Sequence, residues 1–340
     1  MARWIAPRHA ATLAAADWED EMRFAYGLLL ALLALPGAAH AQSSQRPLQI
    51  IVPFAPGGSA DGIGRILATE LSAKLGRQVY VDNRPGAGGS LGLTVLAKAA
   101  PDGDTVAIAA TGALVINPHV PGSTGFDPVK ELAPVAKLIE IPLLVVANPK
   151  IGPKTVKEMI EQSKARPAGL SYGSTGVNSS QHLSVEMFKK VTGANLVHIP
   201  YRGSGPAALA AVAGDVPLTS TDLTAAHENV KAGNLIALGI TSLNRSKLAP
   251  DIPTLAEGGV PGFSGAPGFI GMVAPLGTPP AVIRQLSSEI ATIVARPDVQ
   301  AKIATLSVEP AYADEAAFGA ALVAESTKIK EIVKTLQPSQ

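Results

Sequence analysis

The sequence predicts an α/β protein built on parallel sheets with helices on their faces. Two observations predict it. Short apolar runs rich in β-branched residues alternate with helix-period stretches along most of the chain, the pattern of parallel strands joined by crossing helices. The chain also has 340 residues, the length of one large or two medium domains with ample cores. Neither an internal repeat nor a low-complexity tract interrupts the pattern.

The N-terminus is trimmed before the elements are read. Met22-Arg23 precedes an apolar run from Phe24 to Leu35, and Ala39-His40-Ala41 follows. That is the layout of a secretory signal peptide, so 22–41 is expected to be cleaved and the exported chain to begin near Gln42. The apolar run is too short to span a bilayer. Residues 1–21 place Asp17, Glu19, Asp20 and Glu21 ahead of the apolar run, where a signal tolerates them badly. They are expected to be a mis-called upstream extension, with Met22 the true start and a genuine longer leader the alternative. Removing 1–41 takes three of the 28 Lys+Arg and four of the 27 Asp+Glu, leaving 25 against 23. A balance of +2 argues for neither nucleic acid nor an anionic membrane surface. With no cysteine, neither a disulfide framework nor a thiolate metal site exists.

Leu48 to Phe54 reads as a buried strand. Pro56-Gly57-Gly58 breaks it, and Ile63, Ile66, Leu67, Leu71 and Leu75 set a helix with one apolar face. Ser59 and Asp61 both suit its N-cap. A strand, a glycine turn and a helix aim free N–H groups at one point, which suits an anion. An ordinary βα connection explains the same residues as well. Val79 to Val81 is a second strand, followed by Asn83–Ser90 and a short helix to about Ala99. Thr105 to Thr111 and Ile141 to Ala147 are further strands. Thr155 with Glu158 forms a capping box that opens a helix to about Lys164. Leu170 to Ser174 is a strand, and Leu183, Met187 and Val191 place a helix after the small-polar turn 175–181. Leu196 to Tyr201 is a strand followed by an alanine-rich helix to Ala213. Val216 to Thr221 is a strand, Thr224 to Lys231 a helix, and Leu235 to Thr241 a strand. Residues 242–268 are rich in Pro and Gly and without period, a long crossing. Phe269 to Ala274 is the last strand expected. Thr278-Pro279-Pro280 caps and opens a helix to about Ala295, a short helix starts at Asp298, and a final one runs from Asp314 to about Lys334.

Several enzyme signatures begin and fail. Gly57-Gly58-Ser59-Ala60-Asp61 lacks the lysine of a phosphate loop. Gly86 and Gly88 meet Leu91 where a dinucleotide fingerprint needs glycine. Gly262 and Ser264 end on Ala266, not the glycine of a nucleophile elbow. His227-Glu228 meets Lys231 where a zinc protease needs histidine. His119, His182, His198 and His227 are far apart in sequence and read as surface or packing residues. What recurs instead is a set of βα turns made of small uncharged donors: 55–61, 111–117, 174–181 and 201–205. Such turns lie at the carboxyl ends of strands, where ligands bind. Donors without a base or nucleophile suit holding an anion rather than transforming it.

Val52-Pro53-Phe54 with Pro56-Gly57-Gly58 and Asp61, the stretch Asn83–Gly89, Asn117-Pro118, Tyr172-Gly173-Ser174, Ser180-Gln181-His182, His198–Tyr201 and Ala274-Pro275 carry a resemblance. Their order across 47–336 resembles the Bug (TctC-like) family, periplasmic solute-binding proteins of tripartite tricarboxylate transporters. The resemblance implies a two-domain Venus-flytrap fold of the type II periplasmic binding class, each domain a mostly parallel sheet flanked by helices. Residues 42–140 with 264–340 would form one domain and 141–263 the other. It implies no enzyme activity, no cofactor, no metal, and a monomer that hands its ligand to multi-spanning membrane subunits. A small carboxylate, a dicarboxylate or an aromatic acid, would be held by backbone donors and water. The expected contacts are Phe54, Pro56, Gly57, Gly58, Ser59 and Asp61; Thr111, Gly112, Ala113 and Asn117; Ser174, Thr175, Asn178, Ser179, Ser180 and Gln181; Tyr201, Arg202 and Gly203; Thr221, Asp222 and Phe269. Two departures stand out. Where the family often has Asp-Asn this chain has Thr221-Asp222, and where it often has Trp-Phe this chain has Phe269-Ile270. If Thr221 faces the ligand, Asp222 faces away, which favours acids without an ammonium group, and Phe269 leaves room for a larger acid. The competing readings are a hydrolase or lyase with a dyad such as His182 and Asp61, and a sensor for a signalling partner.

Overall fold

The structure, a computed structural model, describes residues 46–123 and 126–336. The expected signal peptide and upstream extension lie outside the described residues. Two sheets organise the chain. The first holds β1 (Leu48–Val52), β2 (Val79–Asn83), β3 (Thr105–Ala110), β4 (Leu132–Glu140), β10 (Phe269–Pro275) and β11 (Glu309–Ala313), in the order β11-β4-β10-β3-β1-β2. The second holds β5 (Leu143–Ala147), β6 (Leu170–Ser174), β7 (Leu196–Pro200), β8 (Leu218–Asp222) and β9 (Ile236–Ile240), in the order β7-β6-β8-β5-β9.

The sheets are mixed, which corrects the expectation of mostly parallel ones. β1 pairs parallel with β2 and β3, and β6 pairs parallel with β7 and β8. The strands next to the crossings run the other way: β10 is antiparallel to β3 and β4, and β5 is antiparallel to β8 and β9. A chain that leaves one sheet and later returns to it enters the reversed strand without a crossover helix, so alternation of elements does not report direction there.

Both faces of each sheet are covered, which is why the strands read as continuous apolar runs. On the first sheet, α1 (Ser59–Leu75), α8 (Pro280–Val294) and α9 (Pro297–Ala304) cover one face through Ile63, Leu67, Ile290 and Ile303. On the other face lie α2 (Ser90–Ala97), a π-helical turn at Gly112–Ile116 and α10 (Glu315–Leu336), through Leu93, Val115, Phe318 and Ile329. The second sheet is covered by α4 (Val156–Ala165) and α5 (Ser180–Thr192) on one face and by α6 (Ser204–Ala213) and α7 (Leu223–Lys231) on the other. One short helix, α3 (Pro128–Glu131), precedes β4. The Thr155 cap forms, with Oγ1 accepting from Glu158 N at 3.1 Å. Gly58, not Ser59 or Asp61, is the N-cap of α1, because both side chains are used elsewhere. Thr278 is likewise not the cap of α8: its hydroxyl donates to the Pro275 carbonyl, and Pro279 takes the position.

Two segments join the lobes side by side. Ile141-Pro142 leads from β4 to β5, and 264–268 leads back to β10; Ile141 N donates to the Gly268 carbonyl at 2.9 Å. The stretch 242–268 has neither helix nor strand, as expected, and packs Leu255, Val260 and Phe263 onto the second lobe. Among the described residues no helix is long and apolar enough to cross a membrane.

Candidate ligand-binding site

The turn after β1 and the turn after β3 come from the first lobe; the turns after β6 and β7 and the end of β8 come from the second. They meet at one cavity between the lobes, lined among others by Phe54, Gly58, Ser59, Asp61, Thr111, Gly112, Thr175, Ser179, Ser180, Gln181 and Asp222. The space within is about 30 Å³, room for a few waters at roughly 10–15 Å³ each. Turns of the two lobes touch across it, as Ser59 with Asp222 and Asn117 with Asn178 show.

Four helices begin at this cavity: α1 from the first lobe, α5, α6 and α7 from the second. The Ser180 and Gln181 N–H groups fall in the first turn of α5, where no helical carbonyl faces them. Ser179 caps that helix, its Oγ accepting from His182 N at 3.2 Å. Thr175 Oγ1 donates to Gln181 Oε1 at 2.9 Å, which fixes the amide. No Lys, Arg or His lines the cavity, so its positive potential comes from helix N-termini.

Two carboxyl groups face it. Asp61 lies in the first turn of α1. Burial pushes its pKa up, but hydrogen bonds from Arg65 and Asn83 and the Arg65 charge outweigh that and hold it below the usual range. The contacts are Arg65 Nε at 2.9 Å and Asn83 Nδ2 at 3.0 Å. Asp222, 2 % exposed, spans the lobes. Its Oδ1 accepts from Ala225 N at 3.0 Å, capping α7. Its Oδ2 accepts from Ser59 N at 3.2 Å and Ser59 Oγ at 2.7 Å, at the start of α1.

That geometry changes three expectations. Asp222, not Thr221, faces the cavity, because the strand alternates and Thr221 Oγ1 donates instead to the Ser204 carbonyl at 3.3 Å. The Ser59 N–H is already taken by Asp222. Phe269 lies on the opposite face of β10, edge-on to Phe318, and Ile270 lines the cavity in its place. Phe269 therefore leaves no extra room for a larger or aromatic acid, and Thr221 does not disfavour an ammonium.

Other expected residues build the walls. Ser174 Oγ meets His198 Nε2 at 2.6 Å behind the 174–181 turn. Asn178 Nδ2 donates to Asn117 Oδ1 at 2.7 Å across the lobes, and Ala55 N donates to the Arg202 carbonyl at 2.7 Å. Pro56, Gly57 and Gly203 lie where these turns touch, with Gly57 and Pro56 against Gly205 and Gly203 against Ala55. Ala113 is buried in the core of the first lobe, and Tyr201 packs on that of the second. His182 and Asp61 share no partner: His182 Nδ1 accepts from Asn178 N at 3.1 Å and its ring stacks on His198 at 4.0 Å. The sequence reading missed Ala55, Ala60, Gly88, Ala110, Ile141, Ser204 and Ile270 as lining residues. Ala55, Ala60 and Ser204 carried a signal, since they sit in the donor-rich turns, and Gly88 lies in the glycine-rich stretch Asn83–Gly89; Ile141 carried none.

A family model described as tripartite tricarboxylate transporter family receptor matches residues 63–337. The chain belongs to that family. This receptor is 40% identical over 246 residues to "Protein BugT" of Bordetella pertussis, covering 72% of this chain and 75% of that protein. Among solved structures it is similar to "periplasmic binding protein BugD", at a TM-score of 0.79 and 31% identity over 86% of this chain and 97% of that one. It is similar also to "R. palustris Rpa4515 with adipate", at a TM-score of 0.80 and 30% identity, with 86% and 97% covered. The receptor is thus a Bug-type periplasmic solute-binding protein with the two-lobed fold.

Proposed function

We propose that this receptor captures a small organic carboxylate between its lobes and delivers it to the membrane subunits of a tripartite tricarboxylate-type transporter. The observation that carries the reading is the meeting of four helix N-termini at a closable cavity that no cationic side chain lines. The solved relative "R. palustris Rpa4515 with adipate" supports the ligand class. The carboxylate sits on the N–H groups of Ser180 and Gln181, and the turns at 55–61 and 111–112 close over it. The chain is exported, cut after Ala41, and works as a monomer. Its domains are 42–140 with 264–340, and 141–263. It binds without converting its ligand, in keeping with the solute-binding proteins it resembles.

A thermal-shift screen of mono- and dicarboxylates tests this, because a ligand that binds only the native state raises the melting temperature by mass action. At least one carboxylate raises Tm in a concentration-dependent way. If uncharged amides or sugars do so and no carboxylate does, the reading is wrong.

A further inference from the structure

The charge balance of the cavity limits what it accepts. Each helix N-terminus carries roughly half a positive charge, so four supply about two. Asp61 is matched by Arg65, whose Nε lies 2.9 Å away. Asp222 is not matched: among the described residues no Lys or Arg pairs with it, and its three donors are Ser59 N, Ser59 Oγ and Ala225 N. As a carboxylate it offsets about one of the two charges, and it does so at the junction of α1 and α7. The α5 end of the cavity keeps its free first-turn donors. About one positive charge remains, which suits one anionic group.

We infer that this receptor takes a monocarboxylate, with the single carboxylate at the N-terminus of α5 and an uncharged donor or an ammonium beside Asp222, and that Asp222 sets the limit of one. This rests on the carboxylate reading above. Asp222 behaves as a resident anion: it occupies the Ser59 N–H and hydroxyl at the start of α1, where a second ligand carboxylate would otherwise sit. A dicarboxylate would set its second charge against that of Asp222 in a cavity that excludes most water, where like charges repel strongly. An amide, hydroxyl or ammonium at that end can instead donate to the acceptor capacity Asp222 retains. This charge rule differs from the one suggested by the adipate-bound relative, so the two are separable by experiment.

The test is calorimetry on the full exported chain with matched ligands: adipate, its monoamide and 6-aminohexanoate, then succinate, its monoamide and 4-aminobutyrate. At the length that fits, the monoamide or the amino acid binds at least tenfold tighter than the diacid. Asp222→Asn keeps the α7 cap, since Asn caps as well as Asp, and narrows that gap to threefold or less. If that variant does not fold, Asp222→Ser supplies a shorter neutral cap for the same measurement. Tightest binding by the diacid in the unmodified protein overturns the inference and leaves the carboxylate reading standing. So does a gap that neutralising position 222 does not move. Failure of every carboxylate, here and in the screen, removes both.

Discussion

A Cβ placed on Gly112 would stand 2.8 Å from Ser179 Cα and 2.9 Å from the Asn178 carbonyl oxygen, both backbone atoms of the facing lobe. Gly88 is tighter still, its Cβ position falling within 2.2 Å of the Val177 carbonyl oxygen. A methyl at Gly112 meets nothing that can rotate aside, so it obstructs closure rather than folding. Gly112→Ala is expected to weaken ligand binding at least tenfold by calorimetry while moving the ligand-free Tm by no more than a few degrees. A large Tm loss with affinity intact would show that the glycine serves the lobe and not the seam. Single positions were also the least legible part of the sequence. Thr221 and Asp222, and likewise Phe269 and Ile270, differ by one step along a strand, and one step reverses which side chain faces the ligand. Nothing in the local sequence fixes that register. The seam glycines were legible as turn residues, but their partners belong to turns more than sixty residues away, beyond any local pattern.

The turn 174–181 and the helix it opens are supported from behind by a cluster of ring and carboxyl groups. Behind the turn, His182 and His198 stack, Tyr172 OH donates to Glu186 Oε1, and Ser174 closes on His198. Burial, together with the charges of His182 and Lys189, pushes His198 down to about 3. Burial also lowers His182, with Lys189 acting in the same sense and Glu186 opposing. The His198 ring is therefore neutral in the folded protein near pH 6, and the lowered His182 keeps Nδ1 as an acceptor for the Asn178 N–H. In the unfolded chain a histidine titrates near pH 6.5. Between about 6.5 and 3 the unfolded state thus binds more protons, so stability is fully present above that window and declines as pH falls through it. The expected outcome is a Tm that drops between pH 6.5 and 4, with a shallower slope in His198→Gln. Equal slopes in the two proteins would remove His198 from the account. Most helices and strands were legible from periodicity. β4 and β11 were not, because Pro134 and Pro310 and the register shifts between β4 and its neighbours erase the alternation that marks a strand.

For the whole molecule, the separated motifs from Val52 to Pro275 identified the fold class, while strand direction escaped because composition carries no sign of it. The exported form is expected to start at Gln42, and an intact mass from the periplasmic fraction checks this; a species retaining 22–41 would refute cleavage at Ala41. The place of β10 has a consequence for assembly. It lies between β4 and β3, in the middle of the first sheet, yet begins at Phe269, after the whole second sheet has been laid down. A chain made from its N-terminus therefore offers β1, β2 and β3 early but with no partner for the open edge of β3. The second sheet, contiguous from Leu143 to Ile240, can complete itself first. The lobe that emerges first is the one that finishes last, and until residues 269–275 arrive its exposed edge and apolar faces are what a holding chaperone would recognise.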